Sequence, residues 1–479
     1  MFVVELNKSN YEYDVHSLVK AFWPEEQVSV LTPETKEDKR AELEKQVKLK
    51  VEIGAEGARI QMGDTGNVEC MPVTETFKEE FKRFLYRTLC QETGKVLPWG
   101  NLTGIRPTKI AYGMLEEGKS EEEICEFYER EHYVSTEKAK LSIDIAKRER
   151  KLLQDIHYEE GYSLYIGIPF CPTTCLYCSF TSYPIAACRS LVDDYITCVI
   201  RELEYVSGQF AGKILDSVYI GGGTPTTLEA EQLDRLISSL KELFDFSTVK
   251  EFTVEAGRAD SITEAKLQVL YKHKVDRISV NPQTMKQGTL DIIGRKASVE
   301  QVLEAYQLAR NVGFANINMD LILGLPGESE EDVQDTIDRV VALNPDSLTV
   351  HSLAIKRASR LSQWIKENGV STLNNTDETM RIAAAGAKKL GMEPYYLYRQ
   401  KNMSGNFENV GYARPGKLGL YNILIMEEKQ TIVACGAGTI TKRVFTDGRI
   451  ERCDNVKDVA LYIEKIDEMI ERKRKLFEG

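Results

Sequence analysis

The stretch Leu164 to Tyr183, LYIGIPFCPTTCLYCSFTSY, sets Cys171, Cys175 and Cys178 in a C-x3-C-x2-C pattern straight after the apolar run Tyr165-Ile166-Gly167-Ile168. Thiolates are the protein ligands of iron–sulfur clusters. Three on one short loop can hold three irons of a cubane and leave the fourth open. Pro169 and Pro172 keep that loop out of a regular helix or strand. Two plainer readings stand beside this one. Structural zinc is almost always four-coordinate and built from paired ligand clusters, and no second pair follows downstream. Buried unliganded cysteines are common singly but seldom cluster this way. The pattern predicts a strand that ends in a loop wrapped around a cluster.

Around this stretch, from Tyr162 onward, strand and helix signals alternate. Strands are expected at Leu164–Ile168, Ser217–Ile220, Glu251–Glu255, Arg277–Val280, Asn316–Ile322 and Ser347–Val350. Helices are expected at Arg189–Val206, Ala230–Phe244, Thr263–Tyr271, Val299–Val312 and Glu330–Leu343. Repeated βα units imply a parallel sheet with helices outside. Six units fall short of the eight that close a full TIM barrel. The expected fold is therefore α/β, a partial (β/α)6 TIM-type barrel. In such barrels the chemistry sits at the C-terminal strand ends, where the cysteine loop falls. After the second strand, Gly221-Gly222-Gly223-Thr224-Pro225 offers backbone N–H groups and close approach for a ligand. Glu255 ends the third strand, Asn281-Pro282-Gln283 follows the fourth, and Asp320 ends the fifth. Arg295 supplies a fork shaped for a carboxylate. One polar residue at a strand end is usually a solvated cap. Several at one barrel mouth predict a binding site.

The length of 479 residues allows two to four domains. The expected division is an N-terminal α+β domain with a helical bridge over 1–155, the barrel over 156–375 and a small C-terminal cap domain over 376–479. In the first, strands are predicted at Phe2–Leu6, Val28–Leu31 and Gln46–Ile53, with helices at Tyr11–Phe22 and Thr76–Cys90. The turn-rich segment Pro98–Thr108 reads as a structured linker or as a loop over the active site. Lys109–Leu153 is helical and heavily charged. In the last part, Thr376 starts a helix. Tyr395, Tyr396 and Tyr398 either line a flat aromatic ligand or form an alternating strand. Val433–Gly438 forms a close-packed loop or brings backbone near the substrate. Lys465 onward reads as a charged, solvated helix.

A net charge of −12 disfavours a nucleic-acid partner. No apolar run approaches the ~20 residues that span a bilayer, and the N-terminus lacks signal-peptide character. Ten cysteines without an export signal read as reduced thiols in the cytoplasm. The seven outside the trio are scattered and read mostly as small buried apolar residues. The five histidines show no metal-site spacing.

The segments YIGIPFCPTTCLYC, YIGGGTPTTL, VEAG, RISVNPQT, IGRKAS and NMDLILGLPGE occur here in that order. Together they resemble the oxygen-independent coproporphyrinogen III oxidase-like family of radical S-adenosylmethionine (SAM) enzymes. The likeness covers about Leu164 to Leu353, and is weaker towards the C-terminus. WGNLTGIRPTKI and YYLYRQKN resemble the bacterial branch named as a coproporphyrinogen dehydrogenase. The resemblance implies a 4Fe-4S cluster on Cys171, Cys175 and Cys178, with SAM at the open iron. It implies SAM or cluster contacts from Tyr165, Tyr177, Gly222, Gly223, Thr224, Glu255, Gln283, Arg295, Asp320 and Ala354. Tyr165, Glu255 and Arg295 are the residues expected to act in catalysis. The implied reaction is oxidative decarboxylation of coproporphyrinogen III propionates to vinyl groups, with a reducing protein such as flavodoxin or ferredoxin as electron source. Two alternatives are a heme-binding carrier or chaperone, and a heme ring-opening methyltransferase. Two positions depart from the best-studied oxidases: Phe180 stands where a further cysteine is found, and Gly167 where His is frequent. Tyr421-Asn422 replaces a His-Asn pair of the related heme chaperones. A tetrapyrrole's carboxylates need cations, and Arg is the best shaped. Arg106, Arg399 and Arg414 are the cations offered outside the barrel helices, and Arg106 or Arg399 is expected to line the substrate pocket, with the N-terminal and C-terminal domains closing the barrel mouth from either side.

Overall fold

The computed structural model describes residues 1–24, 26–63, 68–104, 106–356, 359–369, 373–400, 403 and 407–478. Ile105, Lys401 and Asn402 of the quoted motifs lie outside them. The chain forms two compact units, 1–147 with 397–408, and 148–396 with 409–479. Among the described residues no helix is long and apolar enough to cross a membrane.

In the first unit the strand Val47–Ile53 forms where apolar residues alternate, and Phe2–Leu6 and Val28–Leu31 are short, largely apolar strands. Two further strands, Gly57–Met62 and Val68–Pro72, complete a mixed five-stranded sheet. The helices Glu12–Phe22 and Phe77–Thr93 close its core through residues such as Leu18, Phe22, Phe81 and Leu85. The described residues of the Pro98–Thr108 segment belong to this unit. Trp99 is wholly buried and its Nε1 donates to Glu408 Oε2 at 2.7 Å. Glu408 Oε1 in turn pairs with buried Lys138 at 2.6 Å. These bonds tie residues 397–408 to residues 1–147, because a buried indole N–H and carboxylate require partners.

The second unit carries six parallel strands in chain order: β1 (Gly161–Ile168), β2 (Ile214–Gly222), β3 (Glu251–Gly257), β4 (Arg277–Val280), β5 (Ile317–Leu323) and β6 (Ser347–Ser352). Helices such as Val192–Gln209, Ala230–Leu243 and Glu330–Leu343 connect them. This is the expected (β/α)6 arrangement. Its row does not end at β1 and β6. The strands β7 (Glu393–Tyr398) and β8 (Asn409–Ala413) extend it beyond β6, while β9 (Thr431–Cys435), β10 (Ile440–Val444) and β11 (Ile450–Asp454) extend it beyond β1. The stretch expected as a separate cap from 376 is thus divided between the two units. Most of it belongs to the barrel unit, because β8 and β9 hydrogen-bond the exposed edges of β6 and β1.

The tyrosines of β7 follow the strand reading. Tyr395 and Tyr396 are buried, with their rings over Gly411 of β8, where a side chain would strike them. The terminal helix Ile466–Glu478 is not solvated all round. It buries Ile466, Met469, Leu476 and also Lys473.

Candidate active site

Strand β1 delivers the cysteine loop. Phe170-Cys171 pairs with Tyr183-Pro184, and the Tyr183 N–H donates to Pro169 O at 2.8 Å, so the loop closes on itself. Thr224 Oγ1 donates to Cys171 Sγ at 3.5 Å, Arg258 Nη1 lies 3.6 Å from Cys175 Sγ, and Ser182 Oγ lies 3.8 Å from Cys178 Sγ. Burial pushes the Cys171 thiol up to about 11, and the neighbouring Cys178 and Cys175 add to the effect. A metal binding here displaces a proton from that thiol. Among the described residues no three His, Cys, Asp or Glu side chains converge on one ion position. A cubane takes each thiolate to a different iron.

The glycine loop after β2 does not offer its N–H groups freely, as the sequence suggested. Gly223 N–H donates to Ile168 O and Thr224 N–H to Phe170 O, both at 2.7 Å. A Cβ on Gly223 would lie 2.5 Å from Phe170 O. The glycines thus lock this loop against the cysteine loop. Gly167 answers to a similar constraint: a Cβ there would lie 2.5 Å from Thr439 Cγ2.

The remaining strand ends come together at the same mouth. Gln283 takes a left-handed φ of +70°, rare for a residue with a side chain. Its backbone is held there by bonds to Asp320 O and from Ile322 N–H, each 3.0 Å. Asp320 accepts from Asn318 Nδ2 at 2.7 Å, and His351 of β6 lies beside it. Arg295 donates to Tyr177 OH at 3.3 Å and to Asn281 O. Its Nε and the Gln283 Oε1 are buried and have no partner. Native structures rarely leave such atoms unmade. Ala354 is half-buried just past β6.

Deeper in the barrel, Tyr165, Tyr219 and Tyr421 form a stack with ring centroids 4.5–6.0 Å apart. Tyr219 OH donates to Glu255 at 2.5 Å. Burial still raises the Glu255 carboxyl to about 7. Tyr219, Arg258 and His351 were not singled out from the sequence, and Tyr421 was noted only as a departure from the heme chaperones. A signal for Tyr219 and His351 exists: residues with polar groups at every second position of the strands, as in Ser217-Tyr219 and Ser347-Thr349-His351, mark a polar inward face, whereas Arg258 lies in the turn past its strand. Tyr421 comes from a distant helix, Leu420–Glu427, and has no such signature.

Arg399 departs from expectation. It is 4% exposed, donates to Leu102 O at 2.6 Å and lies over the Trp99 ring, all within its own unit. Burial lowers its guanidinium to about 10. Arg106 is half-buried.

A family model of the radical SAM superfamily matches residues 165–340. The oxygen-independent coproporphyrinogen-III oxidase-like protein HemZ of Bacillus subtilis is 41% identical over 416 residues, 84% of this chain and 83% of that protein. The heme chaperone HemW of Lactococcus lactis is 30% identical over 58% of this chain and 68% of its own. The structure of coproporphyrinogen III oxidase HemN from Escherichia coli aligns with a TM-score of 0.53 at 23% identity, over 67% of this chain and 73% of that one. That last likeness is one of fold. Fold, cysteine loop and family model together define a radical SAM protein. Within that superfamily the chain belongs to the oxygen-independent coproporphyrinogen III oxidase-like family. Membership implies a 4Fe-4S cluster and SAM, and the donor set fits both: three thiols on one loop, with an unpartnered cationic donor and an unpartnered amide oxygen at the same mouth.

Proposed function

We propose that the protein carries out oxygen-independent oxidative decarboxylation of coproporphyrinogen III propionates, yielding the vinyl groups of protoporphyrinogen IX. The observation that carries the radical chemistry is the three-cysteine loop with Arg295, whose buried Nε has no partner, held against it through Tyr177. The substrate class rests on the 41% identity to an oxidase-like relative. Cys171, Cys175 and Cys178 hold the cluster. A reduced cluster with SAM bound supplies hydrogen-abstracting radical chemistry at a propionate side chain. Arg295 takes the SAM carboxylate, for which a guanidinium is well shaped. Gln283 Oε1 accepts from its ammonium. Tyr177 braces Arg295 through its hydroxyl. Glu255, Asp320 and Ala354 complete the contacts. The Gly222-Gly223-Thr224 loop contributes shape, and the stack of Tyr165, Tyr219 and Tyr421 excludes water from beneath. Electrons come from a small reducing protein of the flavodoxin or ferredoxin type, in the cytoplasm.

The 30% identity to a heme chaperone favours a second reading, a heme carrier on the same fold. Anaerobic incubation of the reconstituted protein with SAM, reductant and coproporphyrinogen III, followed by mass spectrometry, separates the two. Loss of carboxyl groups is the expected result. Unchanged substrate together with stoichiometric heme binding overturns the oxidase reading in favour of the carrier. Gain of a methyl group on heme would point instead to ring-opening methyl transfer.

A further inference from the structure

The turn after β3 aims a cation at one cluster cysteine. Gly257 has φ +57°, which glycine takes without strain, and the Arg258 N–H then donates back to Ala256 O at 2.7 Å. This reversal brings the Arg258 side chain to the cysteine loop, where it is 4% exposed. Nε and Nη2 fork onto Asp260 at 2.9 and 2.6 Å. The fork fixes the guanidinium plane. Nη1 is left facing Thr173 O at 3.1 Å, Thr173 Oγ1 at 2.9 Å and Cys175 Sγ at 3.6 Å. Arg295 interacts with the same sulfur. Cys171 has the Thr224 hydroxyl beside it and Cys178 the Ser182 hydroxyl, while the charges of Arg258 and Lys356 act on them without a hydrogen bond to either sulfur. Cys175 is thus the ligand against which a fixed guanidinium N–H is aimed. Hydrogen bonds to the ligand sulfurs and the net charge around them set the potential of an iron–sulfur cluster. Away from water such a charge is weakly screened.

We propose that Arg258 is a positioning residue for the cluster: held by Asp260, its Nη1–H donates to the Cys175 thiolate, steadies that ligand and raises the cluster's reduction potential, so that one electron enters more readily. The proposal rests on the cofactor reading above. It concerns how the cluster is poised, not what it acts on.

The test is an anaerobic dithionite titration of the reconstituted full chain without SAM, followed by the electron spin resonance of the reduced cluster. Arg258→Met removes the donor and charge, while Arg258→Lys keeps the charge on a point donor that cannot fork. The Met variant is expected to be reduced about ten-fold less readily at fixed poise, a fall of about 59 mV for one electron. The Lys variant falls between it and the parent. If Met loses the cluster altogether, Lys alone decides: a potential below the parent's upholds the proposal and an equal one sinks it. Parent protein that takes up no cluster overturns the cofactor reading, and this proposal with it. A loaded parent whose potential neither substitution moves overturns this proposal alone.

Discussion

The barrel unit contains two buried polar clusters of opposite character. In one, Glu202 Oε1 accepts from Lys473 Nζ at 2.6 Å and Asn455 Nδ2 at 2.8 Å, and Oε2 accepts from Gly436 N–H at 2.8 Å and Tyr462 OH at 2.6 Å. Lys473 also reaches Asn455 Oδ1 at 3.0 Å. Both charges have no exposed surface and every carboxylate oxygen is used. In the other, at the barrel mouth, Arg295 Nε and Gln283 Oε1 lack partners, and burial raises the Glu255 carboxyl to about 7. The saturated cluster pins the terminal helix and the Gly436 turn to the sheet. The unsaturated one holds polar capacity that the fold itself does not use. Leftover capacity beside a loop of three cysteines, rather than buried charge as such, is what points to a ligand at the mouth.

The largest expected effect comes from breaking the saturated cluster. Lys473→Met leaves Glu202 buried and unpaired, and should lower stability by about 3–5 kcal/mol. The double variant Glu202→Leu, Lys473→Met removes both charges and should recover much of that loss. Thermal and denaturant melts of both would measure this. A loss below about 1 kcal/mol in the single variant, within the range of a surface pair, would erase the contrast between the clusters.

An intermediate effect concerns Glu255. Its carboxyl rises from an ordinary 4.5 to about 7 in the fold. Between those values the folded chain holds a proton that the unfolded chain has released. The group's contribution is therefore present below about pH 4.5 and lost as pH rises through 7. Glu255→Gln stays neutral throughout. Its stability relative to the parent should rise from pH 5 to pH 8 by about 1–3 kcal/mol. A pH-independent difference between the two melting curves would show that Glu255 is ionised across that range and that the mouth is not electrostatically unsatisfied.

The smallest effect on stability, and the sharpest on binding, is expected at Gln283. Gln283→Asn keeps a residue tolerant of the left-handed backbone and withdraws the amide from the mouth. Stability should stay within about 0.5 kcal/mol, while SAM affinity weakens about ten-fold. Anaerobic calorimetry would measure the affinity. Unchanged affinity would mean that SAM binds elsewhere.

Much of the barrel was legible because its strands are local signals. Arg277–Val280 and the helices Val299–Val312 and Glu330–Leu343 fall where periodicity and caps put them. The cysteine spacing and the polar strand ends were legible for the same reason. What was not legible depends on pairing over long separations. Lys473 looks like one more charge on a solvated helix, and its partner Glu202 lies 271 positions away. Arg399 looked free to meet a carboxylate until Trp99 and Leu102 enclosed it. The C-terminal segment looked like a cap because nothing local to it says that its strands add to both edges of the barrel sheet.

The central claim is that the three-cysteine loop at the unsaturated mouth is a cofactor site. Iron content and visible absorbance after anaerobic reconstitution of the Cys175→Ala and Cys198→Ala variants test it most directly. Cys198 sits in the helix Val192–Gln209, with its thiol towards Ile463 O at 3.9 Å. The parent and Cys198→Ala should each take up about four irons, one cubane, and Cys175→Ala should fail to hold them. Full cluster retention in Cys175→Ala would contradict the account.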